Sequence, residues 1–133
     1  WYQKMTQSPH DEIWCIHLKE NGPSDPARAD KLIGNCGYHG HSRHPGLEGQ
    51  AFAGIIIGEK DEWGKGYGTD AFRTLMRYIK EKKGRKEVYL NVDTLHHTAR
   101  WAYEKVGFRV IGTERNFSRT NSNQEQYLMK IEL

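Results

Sequence analysis

Hydrophobic positions along this chain switch between two spacings, and the switch marks the elements. IWCIHL, Ile13 to Leu18, alternates or runs apolar as a strand does. KLIGNCGY, Lys31 to Tyr38, follows it across a connection rich in Pro, Gly and Asp, so the two are predicted to pair antiparallel. AFAGIIIG, Ala51 to Gly58, is a β-branched run bounded by glycine and reads as a buried strand. The spacing then changes to three and four: Ala71, Phe72, Leu75, Met76 and Ile79 form one face of a helix predicted over Tyr67 to Lys82, with Gly84 as its stop. EVYLNV, Glu87 to Val92, is the next strand, and a second helix is predicted near Thr98 to Val106. FRVIGTERNF and EQYLMKIEL are two further strands able to pair as a hairpin.

Composition narrows this picture. With 133 residues the chain has the length of one domain with one ordinary core. No apolar run approaches the ~18–20 residues that cross a bilayer, which predicts no membrane span. WYQKMTQSPHDE has no apolar leader, and Cys15 and Cys36 lie inside strands without disulfide or metal-ligand spacing, so a reduced cytoplasm is the expected setting. The net charge of +3 is spread along the chain and dense only in KEKKGRK, Lys80 to Lys86, which reads as a solvated helix end. A nucleic-acid ligand is disfavoured, because 17 acidic residues interleave with 20 basic ones.

The chemistry lies between the third strand and the first helix, in DEWGKGYGTDAF, Asp61 to Phe72. Gly64, Gly66 and Gly68 fit neither the G-x-x-x-x-G-K-[ST] phosphate loop nor the dinucleotide G-x-G-x-x-G pattern. What they offer is a backbone turn at a helix start, where N–H groups without intrahelical acceptors and the positive dipole end favour a phosphate group. Lys65 adds a cation beside it.

These residues resemble a family. WGKGYGT is similar to the acetyl-CoA motif of the GNAT N-acetyltransferases, with Trp63 in the slot usually held by Arg or Gln and Gly66 and Gly68 on the small-residue positions. Trp in that slot looks like the branch that includes the RimJ/RimL-type ribosomal-protein acetyltransferases. A second stretch, LNVDTLHHTARWAYEKVGF, is similar to the family's L-x-V-x-x-x-N-x-x-A-x-x-x-Y-x-K-x-G-F, matched by Leu90, Val92, Ala99, Tyr103, Lys105, Gly107 and Phe108. The resemblance implies an α/β acyl-CoA N-acyltransferase fold, three-layered, with a mixed central sheet splayed in a V. It also implies acetyl-CoA as cosubstrate and no metal. The pyrophosphate would lie on Gly64, Lys65, Gly66, Tyr67, Gly68 and Thr69, and the pantetheine arm along the backbone of Ile55, Ile56 and Ile57. Trp63, His96 and Ala99 would complete the cofactor site.

In this family an amine attacks the thioester directly, and Tyr103 occupies the position of the acid that protonates the leaving thiolate. His96 stands where the family usually carries Asn, which leaves an imidazole donor in that place. The family's usual carboxylate bases correspond to Phe52 and Asn91, neither of which takes a proton; Glu59, Asp93 and His41 are left as water-relayed substitutes. Deprotonating an amine of pKa about 10.4 at pH 7 costs about 4.6 kcal/mol, against about 1.4 kcal/mol for a peptide α-amine near 8. A site without a base therefore suits a peptide N-terminus or another low-pKa amine.

His39, His41 and His44 cluster in YHGHSRH but lack a Cys or neighbouring carboxylate to complete a metal set. Trp63 and Trp101 are available to line an acceptor entrance. Relative to the family plan the front is short, and WYQKMTQSPHDEIW resembles only the end of that plan's second helix. That leaves IWCIHL as an open sheet edge, for which a homodimer is the expected cover. The rival reading is a non-catalytic acetyl-CoA-binding module with an incomplete acceptor site.

Overall fold

A computed structural model describes residues 2–4, 10–18, 31–118 and 121–133, with backbone only for 2–4, 116–118 and 121–124. In chain order the elements are β1 (Tyr2–Lys4), β2 (Asp11–Leu18), β3 (Lys31–His39), β4 (Phe52–Ile57), α1 (Tyr67–Lys83), β5 (Glu87–Asp93), α2 (His97–Val106), β6 (Arg109–Ser118) and β7 (Asn121–Glu132). A single 3₁₀ turn, Lys60–Glu62, precedes α1. The strands form one sheet in the order β1-β2-β3-β4-β5-β7-β6, antiparallel except where β4 meets β5. Among the described residues no helix is long and apolar enough to cross a membrane.

The helical periodicity is realised nearly as read. Ala71, Phe72, Leu75, Met76 and Ile79 are the buried face of α1, and the helix ends at Gly84 in the left-handed conformation, φ 65°. Tyr103 of α2 and Phe108 pack on Phe72, with ring centroids 5.1 and 5.5 Å away, so both helices share one core with Val88, Leu90, Val92 and Met129. Of the three layers expected, the described residues form two, the sheet and one helical layer. Phe52, Tyr89 and Asn91 belong to the opposite, helix-free face.

Two expectations change at the front and at the end of α1. Tyr2–Lys4 is a strand rather than a helix end, and it pairs antiparallel with Trp14–Ile16. The reason for placing a second chain on β2 falls away over those residues. The basic run after α1 is also more than a solvated end. Lys83 Nζ reaches the buried Glu12 carboxylate at 2.7 Å, and Arg85 donates to the Gly40 carbonyl at 2.6 Å, the Gly49 carbonyl at 3.2 Å and the Tyr38 hydroxyl at 3.3 Å. Arg85 thereby clamps both ends of the connection between β3 and β4.

One glycine is required by close approach. β3 carries an extra residue opposite β2, since Ile16 pairs with Gly34 while His17 pairs with Leu32. A Cβ on Gly34 would collide with the Ile56 carbonyl oxygen and stand 2.9 Å from Ile57 Cα. β4 can lie against β3 in this register because position 34 has no side chain.

Candidate functional site

Among the described residues β4 and β5 are the only parallel neighbours, and they pair only at Phe52↔Tyr89, with the Tyr89 N–H donating to the Ala51 carbonyl at 2.8 Å. Past that point the strands diverge, leaving Ile55–Ile57 along one wall of the opening. This is the V that the family resemblance implies. Ile55 and Ile57 reach toward Gly68, where a Cβ would lie 3.9 Å from Ile55 Cδ1 and 3.6 Å from Ile57 Cγ1. Ile56 faces away from them and is 65% exposed.

The glycine turn closes the top of that wall. Gly64 and Gly66 have φ of 78° and 85°, a conformation other residues rarely adopt, and a Cβ at either would meet nothing within 4 Å. The requirement at both is conformational, and the space over them is open. α1 starts at Tyr67, and its first ladder bond runs from the Asp70 N–H to the Gly66 carbonyl at 3.0 Å. The N–H groups of Tyr67, Gly68 and Thr69 therefore have no partner within the helix and carry its positive end. An open glycine backbone and an anion-favouring helix end suit a phosphate group, and the splayed strand pair lies beside them.

The residues around the turn have defined tasks. The Trp63 indole N–H donates to the Ile57 carbonyl at 2.7 Å and anchors the turn to the end of β4. Its ring remains 55% exposed. Lys65 reaches the buried Glu62 carboxylate at 3.1 Å, which Lys31 meets at 3.4 Å on its other oxygen. The Lys65 hydrogen bond, with Lys31 assisting, holds the Glu62 carboxyl below its ordinary range, and Glu62 raises Lys65 in return. Lys65 is thus a charge already shared, in a cluster of two ammonium groups and one carboxylate. His96 stands exposed just before α2 without a side-chain capping bond, and Ala99 packs half-buried against the core.

Tyr103 is 7% exposed, and its hydroxyl meets the backbone N–H of Ile55. Burial pushes the phenol above its ordinary value near 10, and the Ile55 N–H pulls weakly the other way. Placed on the helix side of the opening, the phenol is a protonated donor aimed at the wall where β4 leaves β5.

The three clustered histidines go separate ways. His41 packs edge-on against His10 with centroids 4.1 Å apart, His39 pairs with Asp11 at 3.1 Å, and His44 pairs with Glu114 at 2.6 Å. Among the described residues no group of three or more His, Cys, Asp or Glu is placed to hold a metal ion. Of the substitute bases, Glu59 is exposed beyond β4 and Asp93 Oδ1 accepts from the Leu95 N–H at 2.9 Å. Among the described residues no hydrogen bond or ion pair joins either of them to Phe52 or Asn91.

What sequence reasoning missed lies at those two positions. Glu114 extends from β6 across β7, and its Oε2 accepts from Asn91 Nδ2 at 3.3 Å as well as meeting His44 Nε2. The His44 ring stacks on Phe52 at 5.5 Å, and Phe52 stacks on Tyr89 at 5.7 Å. No local pattern could have flagged a pair 70 residues apart; the nearest signal was a single carboxylate in a strand read only as one arm of a hairpin. A separate hollow of about 100 Å³ beneath α1, lined by Trp14, Cys36, Ala71, Thr74, Leu75 and Tyr78, gathers no such polar groups.

Comparison with known proteins agrees with this geometry. The sequence profile of the acetyltransferase (GNAT) domain matches residues 1–109. No curated protein sequence matches the chain. Among solved structures, the fold is similar to a Vibrio cholerae spermidine N-acetyltransferase SpeG chimera with hSSAT (TM-score 0.71, 20% identity, 95% of this chain and 70% of that one). It is also similar to a GNAT-family acetyltransferase from Streptococcus pneumoniae (TM-score 0.72, 19% identity, 96% and 70%). A third likeness is the Vibrio cholerae spermidine N-acetyltransferase in complex with CoA and spermine (TM-score 0.71, 20% identity, 93% and 66%).

Proposed function

The chain belongs to the GNAT acetyltransferase domain family, and from that premise we propose that it transfers the acetyl group of acetyl-CoA to a primary amine by direct attack. The observation that carries this reading is the divergence of β4 from β5 beside the open glycine turn, with the Tyr103 hydroxyl at the Ile55 N–H. Ile55, Ile56 and Ile57 offer strand backbone to the pantetheine amides, as an added strand would use it. Gly64, Gly66, Tyr67, Gly68 and Thr69 hold the pyrophosphate, with Lys65 and Trp63 at its flank and His96 and Ala99 at the start of α2. The thioester supplies the activated acetyl group. Tyr103 stays protonated in its buried position and gives its proton to the sulfur as the amine displaces it.

For the acceptor, the likeness of WGKGYGT to the RimJ/RimL-type branch supports a peptide or protein N-terminal amine. The structural neighbours that act on spermidine resemble this chain in fold alone, at about one residue in five. Titration calorimetry with acetyl-CoA, followed by thiol release over peptide N-termini and polyamines, tests the proposal. Binding with thiol release supports it and identifies the acceptor. Binding without release favours a cofactor-binding module, and absence of binding overturns the assignment of the glycine turn.

A further inference from the structure

We propose that the His44–Glu114 pair is the proton acceptor for the incoming amine, working on the sheet face opposite Tyr103; the inference rests on the acetyl-transfer reading above. Three separate elements converge on it. His44 comes from the β3–β4 connection that Arg85 clamps at Gly40 and Gly49, Asn91 from β5, and Glu114 from β6, whose side chain spans β7 to arrive. The carboxylate is 32% exposed, so it is held in place yet reachable from the open face.

Its level along the cleft follows from the strand register. Counting two residues on from Phe52↔Tyr89 reaches Gly54 on β4 and Asn91 on β5. Asn91, which holds Glu114, and Ile55, which meets Tyr103, are therefore within one residue, about 3.3 Å, of the same level. Tyr103 approaches from the helical core and Glu114 from the bare face. An acid and a base thus flank one opening where parallel strands part.

The hydrogen bonds show what the pair can hold. His44 Nδ1 faces the Pro45 carbonyl at 3.0 Å and Nε2 faces Glu114 Oε2 at 2.6 Å. Both partners accept hydrogen bonds when the carboxyl is ionised, so the two contacts accommodate a proton on Nδ1 and a second one between Nε2 and Oε2. With both protons in place the pair is loaded. Without the second proton, a neutral imidazole presents its Nε2 lone pair beside a carboxylate, an arrangement that attracts an ammonium group. The other groups around His44 are the Phe52 ring, the Ser42 hydroxyl, which accepts from its backbone N–H at 2.9 Å, and Glu48 in the same connection.

In the step, R–NH₃⁺ gives one proton to the unloaded pair and becomes R–NH₂. The nitrogen lone pair then forms the N–C bond, the C–S bond breaks with its electrons on sulfur, and sulfur takes the Tyr103 proton. The second proton that nitrogen sheds as the amide forms restores Tyr103. The loaded pair returns its proton to solvent before the next turnover. A carboxylate-backed imidazole also removes the restriction to low-pKa amines that the sequence suggested.

The test uses thiol release with an acceptor that the wild-type chain acetylates, from below neutrality up toward that amine's own pKa. Glu114→Gln is expected to lower kcat by about 10²-fold or more near neutrality, with acetyl-CoA Kd unchanged by calorimetry. The deficit should shrink as pH rises, because solvent then deprotonates the amine. His44→Gln should show the same convergence with a smaller initial loss. Glu114→Asp, which keeps the charge but not the reach, provides the same readout should Glu114→Gln not fold. A deficit that stays constant across pH makes the pair a structural pin and overturns the inference, as does wild-type kcat in Glu114→Gln. Absence of thiol release from the wild type itself would instead sink acetyl transfer, and this inference with it.

Discussion

Gly34→Ala is the substitution whose effect the structure specifies most directly. The added methyl would meet the Ile56 carbonyl oxygen, Ile57 Cα at 2.9 Å and the Ile56 carbonyl carbon at 3.0 Å. All three are backbone atoms, so no rotamer change relieves the overlap, and β4 must move off β3. Overpacking of this kind costs about 1–3 kcal/mol. The Gly58 N–H to Ile33 carbonyl bond at 2.9 Å lies at the same crossing, and its loss adds about 1 kcal/mol. A total of about 3 kcal/mol lowers the folded-to-unfolded ratio roughly 150-fold. With a urea m-value of about 1–3 kcal/mol/M, the midpoint should fall by about 1–3 M. Gly37→Ala, three residues along the same strand, is the control. Its Cβ would find the Glu12 carbonyl and His39 Nε2 at 3.8 Å, ordinary contact, so its midpoint should match or slightly exceed wild type. Tryptophan-fluorescence urea titrations of the three chains decide the matter. If Gly34→Ala and Gly37→Ala share one midpoint, close approach at position 34 is not what holds β4 in place.

Three further outcomes follow from particular contacts. Tyr103→Phe should lower kcat about 10²-fold or more while leaving acetyl-CoA affinity unchanged; because burial raises the phenol, any alkaline loss of wild-type rate from its ionisation should lie above pH about 10, and an unaltered rate removes Tyr103 from the chemistry. Glu12→Ala strips Lys83 of its 2.7 Å partner at a site where the carboxylate is 1% exposed, and should cost about 3–5 kcal/mol by urea titration; a loss under about 1 kcal/mol would mean that solvent satisfies Lys83. Burial, with a smaller contribution from Cys15, pushes the Cys36 thiol from 9.0 up to about 11, so its contribution to stability is present below pH 9.0 and is lost as pH rises through about 11. At pH 8 about one such thiol in a thousand is ionised, so a thiol reagent should label Cys15 in the native chain and reach Cys36 only in denaturant.

How much of this was legible depended on range along the chain. Repeats of three and four residues placed α1 within one residue at its C-terminus, and WGKGYGT led to the turn because glycine at positive φ is a local requirement. β2 begins at Asp11 rather than Ile13, because Glu12 is buried by an ion pair with Lys83, and a charge alone on a strand carries no sign of its distant partner. The same holds for Glu114 with His44, and for Arg85 with Gly40 and Gly49. Apolar patterning marks which residues leave water, whereas a polar contact across the sheet depends on topology that no window of sequence contains. Phe52 and Asn91, the positions where the resemblance implies a base, carry no such group. The fold sets His44 and Glu114 beside them from two elements that sequence could not bring together.

The order β5-β7-β6 bears on how the molecule forms in time. β7 fills the gap between β5 and β6, so residues 87–93 wait for partners about forty positions later in the chain. β6 and β7 are neighbours along the chain and pair antiparallel from Ser118↔Asn121 onward, a contact that closes a short loop and forms early. The hairpin then docks as a unit on β5. During synthesis the apolar flank of Val88, Leu90 and Val92 stays uncovered by Met129 and Ile131 until residues 121–132 have left the ribosome. Pausing before that point, or a stop codon within it, should give a chain whose α1 and β2–β4 can associate but whose β5 edge captures other chains.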